Sequence, residues 1–244
     1  MLDANTNATG RAHLSDIEGV PSSLNENQLE LMEKHLEMVL EKNLELNLTR
    51  ICDWEEALYL HIVDSLTLLD AFEAAPNGAF LDIGTGAGYP GVPLAIATGR
   101  KATLVDSSKK KAQAVQGFVE ELGIDKRVRV ESERVEVLGR AERGRYAVVC
   151  ARAVAQTGTI VEYAAPLLMK GGRLVVAKAR PTDEELEVAK RVADMCGLRF
   201  VSRETLELPG ERGHREIIVY ERYANPRIKL PRKVGQAQHN PLGV

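Results

Sequence analysis

Cysteine is scarce: Cys52, Cys150 and Cys196 are odd in number and share no metal-ligand or redox spacing. That excludes a disulfide framework and fits a reducing compartment. The five histidines, His13, His35, His61, His214 and His239, are scattered, so no metal site is legible. No apolar run approaches the ~20 residues that a membrane span requires. The charged-then-apolar order of a secretory signal is missing from the N-terminus as well. There is no internal repeat and no low-complexity tract. Acidic residues stop at Glu221, and only Arg222, Arg227, Lys229, Arg232 and Lys233 carry charge beyond it. The expectation is a cytoplasmic monomer without metal or membrane partner, whose basic end leaves room for a polyanion.

At 244 residues the chain can hold one large α/β domain with a small appendage. Residues 1–22 are polar and small and predict a flexible tail. Ser23-Leu-Asn-Glu26 is a capping-box pattern, and Leu29, Met32, Leu36, Val39 and Leu40 follow at helical spacing. Asn47 breaks that helix, and a second begins near Trp54, with His61 and Asp64 three apart on one face. Residues 23–78 therefore form a helical extension. From Ala79 strands and helices alternate: strands at 79–83, 101–105, 127–131, 146–150 and 172–177, with helices near 92–98, 109–122, 156–168 and 182–196. Two last strands, 199–207 and 215–222, face each other across Pro209-Gly210 and Gly213 as a hairpin. The expected fold is α/β, a Rossmann-like, doubly wound, mostly parallel seven-stranded sheet over 79–224, closed by an antiparallel hairpin. A basic segment, 225–244, follows.

Asp82-Ile-Gly84-Thr-Gly86-Ala-Gly88-Tyr89-Pro-Gly91 is the stretch on which the rest turns. An apolar strand runs into three glycines, the residue needed where backbone takes positive φ or touches a ligand. Open α/β sheets hold nucleotide-like ligands at such strand ends. A dinucleotide fingerprint places its third glycine five residues after the first; here the interval is four, and Asp82 precedes it. Asp-x-Gly-x-Gly-x-Gly resembles the first motif of S-adenosylmethionine-dependent (class I) methyltransferases. Asp106 ends the second strand, where an acid can accept both ribose hydroxyls of a nucleoside or cap the next helix.

Glu133-Arg134-Val135-Glu136 after the third strand is either an adenine-contacting loop or a solvated one. Arg152 ends the fourth strand at the topological switch point, offering a fork of donors, or a salt bridge to Glu136 or another loop acid. The Pro-Pro-aromatic motif of amine methylation is missing there, and Cys150 reads as inert core rather than a nucleophile. Lys109, Lys110, Lys111, Lys178 and Arg180 share the ligand edge, and Arg232 and Lys233 lie in the basic end; all are candidates for nucleic-acid contact.

These pieces together resemble the RsmG (GidB) family, bacterial methyltransferases acting on guanine N7 of 16S ribosomal RNA. Asn47-Leu-Thr49, His61-Ile-Val-Asp64-Ser-Leu66, the Asp82–Gly91 loop, Leu104-Val-Asp106-Ser107, Lys110-Lys111, Arg134-Val-Glu136, Arg152-Ala153, Gly171-Gly172 and Pro231-Arg-Lys233-x-Gly235 with Pro241-Leu242 carry the resemblance, over about residues 24–242. It implies S-adenosylmethionine as cofactor, S-adenosylhomocysteine as product, and cofactor contacts at Gly84, Tyr89, Val135, Glu136 and Arg152. The implied partner is 16S ribosomal RNA, free or within the small subunit. Guanine N7 carries no proton, so no side chain is expected to act as a catalytic base. Competing readings are a small-molecule or protein methyltransferase, a non-catalytic RNA- or nucleotide-binding module, and, least, a dehydrogenase.

Overall fold

The computed structural model describes residues 11–244. The first ten residues of the expected tail lie outside them. From Ala12 onward the chain is not a loose tail. A 3-10 turn over Leu14–Asp16 buries Leu14, whose N–H donates to Glu33 Oε1 at 2.5 Å. The Trp54 indole N–H donates to the Ala12 carbonyl at 2.8 Å. Two buried apolar side chains, Leu14 and Ile17, anchor this otherwise polar segment, too few for its sequence to signal order.

Helix α1 (Glu26–Leu46) is capped two residues later than the pattern predicts. Asn25 Oδ1 accepts the Gln28 N–H and Gln28 Oε1 accepts the Asn25 N–H, both at 3.0 Å. Ser23 is taken up by a turn that the Leu24 N–H closes onto the Pro21 carbonyl. The helix buries Met32, His35, Leu36 and Val39, and Asn47 ends it in the left-handed region at φ 47°. Helix α2 (Trp54–Ala57), a π-helical turn (Leu58–Val63) and α3 (Asp64–Leu66) run on without a break, and α4 (Leu69–Glu73) follows.

The alternating region gives β1 (Phe80–Ile83), α5 (Gly91–Thr98), β2 (Ala102–Val105), α6 (Lys109–Glu121), β3 (Val128–Glu131), α7 (Val135–Ala141) and β4 (Tyr146–Arg152). Then come α8 (Thr157–Ala164), β5 (Leu168–Lys178), α9 (Asp183–Cys196), β6 (Leu198–Glu207) and β7 (His214–Arg222). Strand order is β3-β2-β1-β4-β5-β7-β6, parallel through β5, with β7 antiparallel to both of its neighbours. The doubly wound sheet and its terminal hairpin are as expected. Within the alternating region α7 alone has no counterpart in the sequence reading, because seven residues are too short to display a helical period.

Central strands are apolar on both faces, as a covered parallel sheet requires. Phe80, Val148 and Cys150 join one core with α1, α5 and α6, while Leu81, Val149 and Ala151 join the other with α7, α8 and α9. Register then sets the site. Ile83 pairs with Val105 on one side and Ala151 on the other, so Gly84, Asp106 and Arg152 leave the sheet at one edge. The C-terminal segment is folded, returning over α7 and α8 and carrying α10 (Gln236–His239), with Leu230 and Ala237 buried. Among the described residues no helix is long and apolar enough to cross a membrane.

Candidate active site

Gly84 and Gly86 have φ of 71° and 60°, the left-handed region that glycine enters without strain. A Cβ on Gly84 would lie 2.8 Å from Val154 Cγ2, whereas on Gly86 it would meet nothing nearer than the Gly84 carbonyl at 4.0 Å. The loop is thus packed at its start and open at its crest. Asp106 holds that crest: Oδ2 accepts the Gly86 N–H at 3.0 Å and Oδ1 accepts the Ser108 N–H at 2.8 Å. The carboxylate therefore clasps the loop and fixes the turn that leads into α6, and each oxygen keeps a lone pair for a ligand hydroxyl.

Asp82 lies under the loop and not at its open crest. It is fully buried there, where Oδ2 accepts the Gly91 N–H at 3.0 Å and the Cys150 thiol lies 3.8 Å from Oδ1. Burial pushes its carboxyl up to about 6, against the opposing pull of its hydrogen bonds. Burial likewise raises the Cys150 thiol well above its usual range, so this cysteine is inert.

Tyr89 is buried between two imidazoles: His61 stacks on it at 4.6 Å and 10°, and His35 lies at 4.7 Å and 43°. Burial lowers both histidines to about 3, with the Arg152 charge adding to the effect on His61. Both are neutral at pH 7. His35 Nε2 donates to the Ala87 carbonyl at 3.1 Å, tying α1 to the glycine loop.

The Arg152 guanidinium sits 5.7 Å from the Tyr89 ring centroid. Its acidic partner is Asp64 and not Glu136. Arg152 Nη1 donates to Asp64 Oδ2 at 2.9 Å and to the Leu60 carbonyl at 3.0 Å. Arg215 Nε donates to Asp64 Oδ1 at 2.7 Å. This Arg152–Asp64–Arg215 bridge borders a cleft of about 510 Å³, rimmed also by His61, Lys178 and Arg180. Beside Arg152, Ala153 takes φ 54°, a strained turn at the strand end.

A second cleft adjoins the glycine loop, lined by Ile83, Gly84, Val105, Ser107, Glu133, Arg134, Val135, Val154, Tyr163 and Gln238. Ile83, Val105, Val135 and Val154 give it an apolar part, and the remaining side chains a polar rim. The Tyr163 hydroxyl is buried with no partner among the described residues. Val135 opens α7 and faces this cleft, but the Glu136 side chain turns away and is buried, accepting the Gly235 N–H at 2.7 Å.

Two basic candidates are already engaged. Lys178 bridges Glu185 at 2.9 Å and donates to the Ala155 carbonyl at 3.0 Å. Arg232 grips Glu162 with Nε and Nη2 at 2.7 and 2.6 Å. Neither is free to meet a phosphate; each desolvated carboxylate needed a cation, which a count of charges along the chain does not reveal. Lys109, Lys110, Arg180 and Lys233 are exposed and Lys111 is half-buried. Sequence reasoning missed His35, Arg215 and Tyr163. Only the pairing of His61 with Asp64 signalled the bridge.

A Rossmann-like sheet ending in this order, with a glycine loop after β1 and an acid after β2, defines the class I methyltransferase fold. Solved structures agree on the fold. Geranyl diphosphate methyltransferase in complex with its diphosphate and sinefungin matches at a TM-score of 0.52 and 18% identity, covering 65% of this chain and 77% of that one. A SAM-dependent O-methyltransferase from Thermotoga maritima matches at 0.50 and 12%, covering 77% and 72%. The chain itself belongs to the rRNA small subunit methyltransferase G (GidB) family, whose family model matches residues 28–216. Ribosomal RNA small subunit methyltransferase G of Chloroflexus aggregans is 37% identical over 227 residues, 92% of this chain and 93% of that protein. Its counterpart from Staphylococcus carnosus is 36% identical, covering 90% and 93%.

Proposed function

We propose that the protein transfers a methyl group from S-adenosylmethionine to N7 of a guanine in small-subunit ribosomal RNA, in the cytoplasm. One observation carries the reading: Asp106 holds the crest of the glycine loop beside a cleft lined by Gly84, Val105 and Val135, and Arg152 and Arg215 border a second cleft where β4 leaves the same sheet edge. The residues suit the cofactor, since the Gly86 crest is open and the buried Tyr163 hydroxyl in its cleft lacks a protein partner.

When bound, S-adenosylmethionine supplies an electrophilic methyl on a cationic sulfur. Asp106 would take the ribose hydroxyls, and Val135 with Val154 would enclose the adenine. The N7 lone pair lies in the ring plane without a proton, so the chain needs no general base. Its work is alignment, which in well-oriented systems lowers a barrier by about 7–11 kcal/mol. Asp64 offsets one of the two positive charges of Arg152 and Arg215, leaving the bridge at net +1, and so weakens the repulsion that a cationic sulfur or charge appearing on the acceptor ring would meet there. The exposed lysines of α6, Arg180 and Lys233 would meet the RNA backbone.

Small-subunit RNA, free and in assembled subunits, incubated with methyl-labelled S-adenosylmethionine tests this. Label is expected at one guanine, with strand cleavage there after borohydride and aniline. Label on another base, or only on small molecules or protein, sinks the reading.

A further inference from the structure

The C-terminal segment ends its return path at the cleft beside Gly84 and Val135. Arg232 fastens it to buried Glu162 on α8, Arg143 Nη1 donates to the Leu230 carbonyl at 2.6 Å, and the Gly235 N–H donates to Glu136 on α7. Ala237, within α10, is buried, and its carbonyl lies 3.4 Å from the Thr159 hydroxyl. Those anchors bring the Gln238 side chain into the lining of the same cleft that holds Gly84, Ser107, Val135 and Tyr163. No motif singled out Gln238, and the contacts carried over from the resemblance do not include it.

Arg134 determines which way the Gln238 amide turns. A guanidinium only donates, so the atom facing Arg134 Nη2 at 3.4 Å must be the carboxamide oxygen. The Nε2 donors remain for the cleft. Apart from Arg134, whose Nη2 faces Gln238 and whose Nε lies 3.6 Å from Glu136, no other side chain on the cleft wall offers an N–H: the valines have no polar group, Glu133 only accepts, and Ser107 and Tyr163 offer hydroxyls. An adenine presents in-ring nitrogens that accept hydrogen bonds. The two sets match.

We propose that the C-terminal strap is a wall of the cofactor site and that Gln238 Nε2 donates to a ring nitrogen of the adenine. This rests on the cofactor reading above and extends it, turning a segment whose basic residues suggested phosphate contact into an adenine-binding element. Arg232, gripping Glu162, is an anchor of that wall.

Calorimetry with S-adenosylhomocysteine and its 1-, 3- and 7-deaza analogues, on the full chain and on Gln238→Ala, tests the assignment. One neutral hydrogen bond predicts a roughly three- to tenfold loss of affinity for S-adenosylhomocysteine in the variant. One deaza analogue should bind wild type and variant alike, because the coupled partner is already gone. A variant that binds S-adenosylhomocysteine as wild type does, or that loses equally toward all four compounds, overturns the proposal. So does a variant that loses RNA affinity alone, which would return the strap to the nucleic acid. If the wild-type chain binds none of the compounds, the cofactor reading itself fails, a different result from any of these. Gln238 is exposed and lies on no core strand, and matching thermal midpoints for the two proteins will separate lost contact from lost fold.

Discussion

Asp106 Oδ2 accepts the Gly86 N–H at 3.0 Å, so the acid ending one strand holds the glycine loop that follows its neighbour. The same side chain accepts the N–H of Ser108, the residue that leads into α6. Loop shape rests on this one carboxylate, and in the proposed reading ribose recognition does too, so removing it should affect both. A hydrogen bond to a charged group contributes about 1.5–3 kcal/mol. Asp106→Ala should weaken S-adenosylhomocysteine binding by at least about tenfold. Asp106→Asn, with one accepting oxygen for two backbone donors, should fall between. Isothermal calorimetry checks both, and an alanine variant with wild-type affinity would remove Asp106 from the site.

Asp64 carries two arginines with its side chain only 5% exposed, while Arg152 and Arg215 are 15% and 16% exposed. Removing the shared acid strands two partly desolvated cations. Breaking a buried pair costs about 3–5 kcal/mol. Asp64→Ala is therefore expected to lower stability by about 3 kcal/mol in urea denaturation and to abolish methyl transfer. Adding Arg215→Leu to Asp64→Ala should recover part of the stability, since one stranded charge disappears. Purely additive losses in that double-mutant cycle would deny the bridge its energetic role.

Much of this was written plainly in the chain. Apolar runs at 79–83 and 146–150, buried on both faces, gave central strands of a covered sheet, and glycine interval with Asp106 gave the ligand edge. What stayed hidden depends on distant partners. Asp82 looks like a site acid beside the glycines, yet the pleat turns it inward onto the Gly91 N–H. Lys178 and Arg232 look like phosphate ligands until the fold brings Glu185 and Glu162 against them. His35 sits in the apolar stripe of α1 and carries no sequence sign that its ring packs on Tyr89. Local pattern encodes the elements, whereas the pairing of Lys178 with Glu185, and of Arg232 with Glu162 at a separation of 70 residues, is settled only by packing.

Lys110 and Lys178 share an edge but differ in freedom, and RNA binding should tell them apart. Lys110 is exposed at the start of α6, where the helix N-terminus gives a cation no support. Each phosphate contact adds about 0.7–0.9 to the slope of log affinity against log salt. Lys110→Ala should lower that slope by about one contact. Lys178→Ala should leave the slope unchanged and instead reduce stability, because Glu185 loses its partner. Filter binding across salt concentrations decides between them; an equal change in slope for both variants would contradict the assignment of Lys178 as structural.

His35 and His61, both lowered to about 3, make stability pH-dependent in a definite direction. Unfolded, each takes a proton below about 6.5, while the folded protein refuses it until about 3. Their contribution is complete above 6.5 and drains away as pH falls toward 3. Asp82 works the other way: raised to about 6, it binds a proton in the folded state first, so its burial is costly above 6 and is relieved as pH drops toward 3.8. Between about pH 5 and 6 the unfolded chain thus binds about one more proton from these three groups, two from the histidines less one at Asp82. That corresponds to a loss of about 1.4 kcal/mol per pH unit on acidification. His35→Leu should bring this slope close to zero across the same window, whatever it does to stability at pH 8. Urea midpoints measured at half-unit steps provide the test, and a variant whose slope equals the wild type's would mean that His35 is protonated in the folded protein.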